Sequence, residues 1–392
     1  MLKRASELQD KLIAHRHDFH QNPEVGFTEI RTSAKVAEVL TTLGCRVRKN
    51  VGKTGVVGEI GEGLPIVAIR ADMDALPITE ENQVDYASKN PGVMHACGHD
   101  AHTAILLGVA ELLSKEEHLP GTIRFLFQPS EEVADAEGFS GAQRMIQDGA
   151  MEGGVGMTLA LHVSAHVPVG RISVEEGPAS AGVDSFKATV LGAGGHGSRP
   201  YETVDPIYLS AHVLLAIYGI ASRRLNPFDP AAISIGSIHG GNADNVIPNE
   251  VDIQGTLRFM ELSVQEKIHS ELKKAFEVAK TMGGDYKLKL ELGGVPMIND
   301  ARVVNLIKQV ATDLIGRENI EPPQLGLGAE DFGSFSALAP GAMFTLGSMI
   351  EGNEQQHHSS RLDVNDDCLP LGVALLTETA LRYLRSGGVL PA

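Results

Sequence analysis

The sequence predicts an α/β chain: a doubly wound, mainly parallel sheet interrupted by a small inserted α+β domain. Three observations carry this. Short apolar runs at Ile66–Arg70, Ile123–Phe127, Met157–Leu161 and Ala342–Leu346 alternate with helical patterns. Near-continuous apolar runs of that kind are what strands buried on both faces require. Between about residues 183 and 292 the rhythm changes to strand-helix-strand-strand-helix-strand, complete in itself. That is the ferredoxin-like order.

Taken in order, residues 3–20 predict one helix, with Leu8, Leu12, Ile13 and Phe19 near one face, broken at Asn22-Pro23-Glu24. Thr28–Leu43 is a second helix, ended by Gly44. Arg46–Val51 and Gly55–Ile60 are short strands. Ile66–Arg70 is a buried strand that delivers Ala71-Asp72-Met73-Asp74. Pro91-Gly92 then turn the chain into His95-Ala96-Cys97-Gly98-His99-Asp100-Ala101-His102, expected as a loop that opens a helix running from Ala104 through Leu113. Ile123–Phe127 ends at Gln128-Pro129-Ser130-Glu131-Glu132, and Met157–Leu161 ends at His162.

The insertion is read as strand Ser185–Leu191, helix Asp205–Arg224, strands Ile233–His239 and Val251–Phe259, helix Val264–Met282 and strand Tyr286–Leu292. Glu176-Gly177-Pro178 and Gly293-Gly294-Val295-Pro296 flank it. The expected domains are therefore 1–182 with 293–392, and 183–292. The first resumes with helix Val303–Ile315, the loop at Gly326-Leu327-Gly328 and the strand Ala342–Leu346. A polar loop with His357 and His358 and the helix Leu369–Leu384 close it.

Composition excludes some functions. The 392 residues carry a net charge of -17 and show no basic cluster, which argues against nucleic acid and against an anionic membrane surface. No apolar run is long enough to span a bilayer, and the amphipathic start has no signal-peptide core. Cys45, Cys97 and Cys368 form no paired framework, so a reducing cytoplasm is expected, with Cys97 available as a thiolate.

The chemistry concentrates at predicted strand ends, where open α/β sheets bind ligands. Cys97 and His99, two apart in a turn, can face one point, and both types suit zinc and its neighbours. One buried thiol or histidine alone is more often structural. Four such groups in one polar turn favour a metal. Glu131 and Glu132 point to opposite sides of an extended segment, so one carboxylate can hold metal while the other takes a proton from water and passes it to a leaving nitrogen. His162 supplies a further imidazole, and one of His357 and His358 is expected to supply another. Asp72 either orients a ligating imidazole or caps a turn. In the insertion, Gly192–Ser198 lacks phosphate-loop spacing and presents His196 on a flexible arm. Asn245 borders a strand, and Arg258 fits either a substrate carboxylate or a structural ion pair.

Together the motifs HDFHQNPEVGFTE (17–29), RADMDALP (70–77), HACGHDAH (95–102), FQPSEE (127–132), GAGGHGSRP (192–200), NVIP (245–248), GTLR (255–258) and Glu330-Asp331-Phe332 resemble the metal-dependent aminoacylase and carboxypeptidase family, in its amidohydrolase branch. The likeness runs nearly the whole chain. It implies a di-metal exopeptidase-like fold whose insertion serves as lid and dimerisation domain. It implies two divalent metal ions per subunit, on Cys97, His99, Glu132, His162 and His358, with Glu131 as general acid/base and Asp72 as supporting carboxylate. His358 is favoured over His357 by the hydrophobic-Asp-Val run at Leu362-Asp363-Val364, although the family usually has proline and phenylalanine where this chain has Ser360 and Leu362. The resemblance gives His196, Asn245 and Arg258 substrate-binding roles and implies a homodimer or homotetramer.

The expected activity is hydrolysis of the amide bond of N-acyl amino acids by metal-activated water. Zinc is favoured by thiolate softness, with manganese, cobalt or nickel also suited to a mixed donor set. A carboxypeptidase or dipeptidase using the same site is the alternative within enzymes. An inactive metal-binding homologue is the alternative of another class.

Overall fold

The computed structural model describes residues 1–322, 326–353 and 355–391. The chain divides into two compact units. One comprises Met1–Ala179, Ile298–Leu325 and Asp331–Ala392; the other comprises Ser180–Met297 and Gly326–Glu330.

The first unit holds an eight-stranded mixed sheet. Its order is Arg46–Val51, Gly55–Gly61, Thr122–Gln128, Ile66–Asp72, Val155–Ser164, Gly341–Gly347, Ile172–Ser173, Ile320–Glu321. The four central strands run parallel, and Arg46–Val51 and Gly55–Gly61 form an antiparallel hairpin on one flank. Every residue of Ile66–Asp72 and of Thr122–Gln128 is buried, which is why both read as near-continuous apolar runs. Helices His99–Leu113 and Leu369–Arg385 pack together against this sheet, and the unit's core is built between them.

Three local differences from the sequence reading matter. The N-terminal helix is two, Leu2–Ser6 and Gln9–Gln21. The buried helix begins at His99 rather than after His102, because Gly98 takes a left-handed turn (φ 87) that starts it early. His162 is not the residue after a strand. Val155–Ser164 runs past it, since the parallel partner Gly341–Gly347 continues and pairs Thr345 with His162.

The second unit is a four-stranded antiparallel sheet in the order Ala231–His239, Glu250–Phe259, Gly182–Leu191, Asp285–Leu292. Helices Pro206–Arg223 and Leu262–Thr281 bury their apolar faces on it. Along Gly182–Leu191 buried residues alternate with less buried ones, the period of a strand covered on one face. Asp205 caps the first helix through the Ile207 amide, with Pro206 at its first position.

Candidate metal centre

The C-terminal ends of the parallel strands and the first turn of the His99 helix converge. Asp72 closes its strand, and Asp74 follows two residues on. Gly98 is required where it stands: a Cβ there would fall 2.4 Å from Val163 Cγ2. The close approach of this turn to the His162 strand brings Cys97 Sγ to 3.6 Å from His162 Nε2.

His99 and His162 are held in the same way. His99 Nδ1 lies 2.9 Å from the Asp74 carbonyl oxygen, and His162 Nδ1 lies 2.8 Å from that of Val163. A carbonyl only accepts, so each Nδ1 carries the proton and Nε2 is the nitrogen left facing the site. Burial opposes a charge on His99, but Asp72, Cys97 and Asp74 raise its pKa well above the ordinary value, so a cation bound there would take the place of a proton. His99 Nε2 is buried with no hydrogen-bond partner among the described residues. A buried acceptor in that state is expensive unless something electrophilic sits before it. Burial pushes the Cys97 thiol well above the ordinary thiol range, so a thiolate there needs a cation beside it. Burial also lowers the His162 pKa, which keeps that ring neutral.

Two donor triads share Cys97. One is Cys97, His99 and His162; the other is Cys97, Glu132 and His358. Within each, the ligand atoms lie within 4.8 Å of one another, and a further triad joins His99, Glu131 and Glu132. Thus the five residues expected as ligands are brought together, and Glu131 stands among them. His358 Nε2 is 3.1 Å from Glu132 Oε1, and the hydrogen bond to that carboxylate raises its pKa. Its own backbone N–H donates to the Ala96 carbonyl at 2.7 Å, which ties this loop to the Cys97 turn. His357 belongs to none of these triads. Its ring stands edge-on to His162 at 4.9 Å, and burial pushes its pKa down to about 2.

Asp72, expected to orient a ligating imidazole or to cap a turn, is hydrogen-bonded to His102, which is not among the five expected ligands. Its Oδ1 lies 2.7 Å from His102 Nδ1, and the Val163 N–H donates to His102 Nε2 at 2.9 Å. His102 is therefore neutral, protonated at Nδ1, with both nitrogens occupied; burial lowers its pKa to about 4. Burial also works against the Asp72 carboxylate, yet the Arg70 guanidinium at 2.7 Å, with the hydrogen bond from His102, holds it well below the usual carboxylate range.

The residue that orients His99 is Asp74, which the sequence reading did not single out. Besides its carbonyl, its Oδ1 is 3.2 Å from His99 Nδ1, and its Oδ2 accepts the Glu132 N–H at 3.0 Å. The available signal was spacing: positions 72 and 74 share one side of an extended segment.

Asp100 faces Arg16 (3.1 Å) and His20 (2.8 Å). His95 is fully enclosed, and burial lowers its pKa to about 4.

The second unit holds the other three expected residues. His196 and Val246 pair in a two-stranded ribbon, and Asn245 accepts the Gly197 N–H through its backbone oxygen at 2.8 Å. The exposed His196 ring accepts from the Ser198 N–H at 3.1 Å. Arg258 is half-buried on Glu250–Phe259, paired across to Val183 and Ala232, and burial lowers its pKa.

Residues 68–382 match the family model described as peptidase family M20/M25/M40. The chain is 40% identical to thermostable carboxypeptidase 2 of Saccharolobus solfataricus, covering 96% of each chain. It is 36% identical to an IAA-amino acid hydrolase ILR1-like protein of Arabidopsis thaliana, covering 97% of this chain and 87% of the relative. Among solved structures it resembles the YXEP protein of Bacillus subtilis, described as a dinuclear metal binding peptidase from the M20 family. That match has a TM-score of 0.84 and 30% identity, over 97% of this chain and 99% of the other.

Proposed function

The chain belongs to peptidase family M20/M25/M40 and is a metal-dependent hydrolase of amide bonds; from that premise we propose that its substrates are N-acyl amino acids. The observation that carries the reading is the pair of triads meeting at Cys97. Two neighbouring divalent cations, if bound, would be held by these five donors, Cys97, His99, Glu132, His162 and His358. The mix of sulfur, imidazole and carboxylate suits zinc first, and manganese, cobalt or nickel next. When bound, such cations supply Lewis acidity toward the scissile carbonyl and water of lowered pKa.

The protein's own groups do the rest. Glu131 accepts the proton of the attacking water and delivers it to the nitrogen as the C–N bond breaks, so the products are a carboxylate and a free amino acid. Asp74 keeps the His99 lone pair turned into the site, and Asp72 with Arg70 holds His102 behind it. In the second unit, Arg258 is proposed to bind the free carboxylate of the amino-acid half, with His196 and Asn245 on the acyl carbonyl.

We further propose that the second unit acts as a lid and as the surface of a homodimer, or of a tetramer built from dimers. Tyr208, Leu215 and Tyr218, on the outer face of Pro206–Arg223, are 57%, 72% and 55% exposed. That apolar stripe lies on the same unit as the edge strand Ala231–His239. Among the described residues no helix is long and apolar enough to cross a membrane. A cytoplasmic location is proposed, consistent with three buried free cysteines.

A second reading, carboxypeptidase action on short peptides, is favoured by the likeness to the Saccharolobus enzyme. Turnover on N-acetyl and N-benzoyl amino acids against blocked dipeptides separates the two. Glu131→Gln is the direct test of mechanism. It should retain both metal equivalents while turnover falls by roughly 100-fold or more. A variant that keeps near-normal turnover refutes the assignment.

A further inference from the structure

The loop carrying Glu131 and Glu132 begins with an unfavourable residue. Ser130 is left-handed, with φ 46, a conformation that costs a residue with a side chain about 1 kcal/mol or more. Four hydrogen bonds hold it and its neighbours. The Ser130 N–H donates to Glu29 Oε1 at 2.8 Å, and Ser130 Oγ donates to the Val133 carbonyl at 2.7 Å. The Gly141 N–H donates to the Ser130 carbonyl at 2.9 Å, and the Glu132 N–H to Asp74 Oδ2 at 3.0 Å. Hence the amides on either side of Glu131 each end on a buried carboxylate brought from a distant element.

Glu29 is the one of these carboxylates with no part in the metal centre. It precedes the Ile30–Thr42 helix, whose first-turn N–H groups are capped by Glu24 instead, and is fully buried. Its second oxygen accepts the Thr54 hydroxyl. The segment before it closes onto the same loop: a Cβ on Gly26 would fall 2.2 Å from Ser130 Oγ. Burying a carboxyl against only a backbone N–H and a hydroxyl is costly, and burial raises its pKa to about 7. An apolar residue would fill the space at less cost, so packing alone does not account for an acid here.

We propose that Glu29 is a positioning residue for proton transfer: by fixing the Ser130 amide while Asp74 fixes that of Glu132, it sets the aim of the Glu131 carboxylate. The proposal rests on Glu131 being the acid/base. Glu29 touches neither substrate nor ligand; it acts through the loop.

The test uses the full metal-loaded protein. Glu29→Met keeps the volume but removes both acceptors. It should lower kcat roughly 10- to 100-fold, the scale of a misaimed group, with KM and bound metal nearly unchanged. Glu29→Gln retains one oxygen toward the Ser130 N–H and should recover most of that loss. Thr54→Ala removes the other partner of the same carboxylate and should leave kcat within about twofold, whatever it does to the melting temperature. On a Glu131→Gln background, Glu29→Met should cost little more, because the group through which it acts is already gone.

Equal kcat losses in the Met and Gln variants, or in Glu29→Met and Thr54→Ala, overturn the proposal. So does full additivity with Glu131→Gln. An active Glu131→Gln enzyme overturns the underlying mechanism instead, and the two failures are thereby distinguished.

Discussion

Replacing Arg16 with methionine tests how the metal-binding segments are held in register. Arg16 is wholly buried on the Gln9–Gln21 helix. Its Nε meets Asp100 at 3.1 Å, its Nη1 meets both Asp366 Oδ1 and the Val364 carbonyl at 2.7 Å, and its Nη2 meets Asp363. Asp100 follows His99 directly, while Asp363–Asp366 lie shortly after His358. One guanidinium therefore joins the two segments that supply ligands from opposite ends of the sequence. Removing it leaves Asp363 buried without its cation and Asp100 with His20 alone. Breaking such a pair from one side costs about 3–5 kcal/mol. At about 2–4 °C per kcal/mol for a unit of this size, the melting temperature should fall by roughly 10 °C. Arg16→Lys keeps the charge but loses the fork and should fall between. Scanning calorimetry on the metal-loaded protein reads the first effect, and metal release to a chelator reads the second. The reasoning fails if Arg16→Met melts within about 2 °C of the parent and holds its metal equally long.

Two other outcomes are expected. For His20, burial opposes the charge, but Asp100 and Glu80 raise its pKa from 6.5 to about 9. Its contribution, on the order of 3 kcal/mol, should be fully present below pH 6.5 and lost as pH rises through about 9. His20→Asn should flatten the stability profile in that window, and urea titrations that keep the full slope would contradict this. At the metal centre, His358→Ala should weaken one of two metal equivalents by roughly 10- to 100-fold or more, since losing a group that only supports a ligand already costs that much. His357→Ala should leave both in place, which metal analysis after dialysis decides.

What could be read from the sequence divides along a physical line. The strands that deliver Asp72, Glu131 and His162 were legible because burial on both faces writes itself as an apolar run. Cys97 and His99 were legible because one short turn holds them both. The start of the His99 helix was not, since the left-handed Gly98 is enforced by Val163 from another strand. Arg16 falls on the helix face of Leu12 and Phe19, but nothing local marks what it binds, because its partners lie 84 to 350 residues away. Glu29 and Asp74 were hidden likewise: an acid bound to a backbone N–H leaves no mark on the residue type of its partner.

The pairing of Gly341–Gly347 with the His162 strand also constrains how the protein is made. That strand pairs early with Ile66–Asp72 but gains its second parallel neighbour only after the ribosome has added the whole of the second unit. The second unit closes its own four-stranded sheet from residues already made, so it can fold during the wait. The first unit meanwhile has an open apolar strand edge and lacks His358. His358, the last expected donor to be synthesised, follows that strand closely, so the Cys97, Glu132 and His358 set is completed only late in synthesis, while the Cys97, His99 and His162 set is made much earlier.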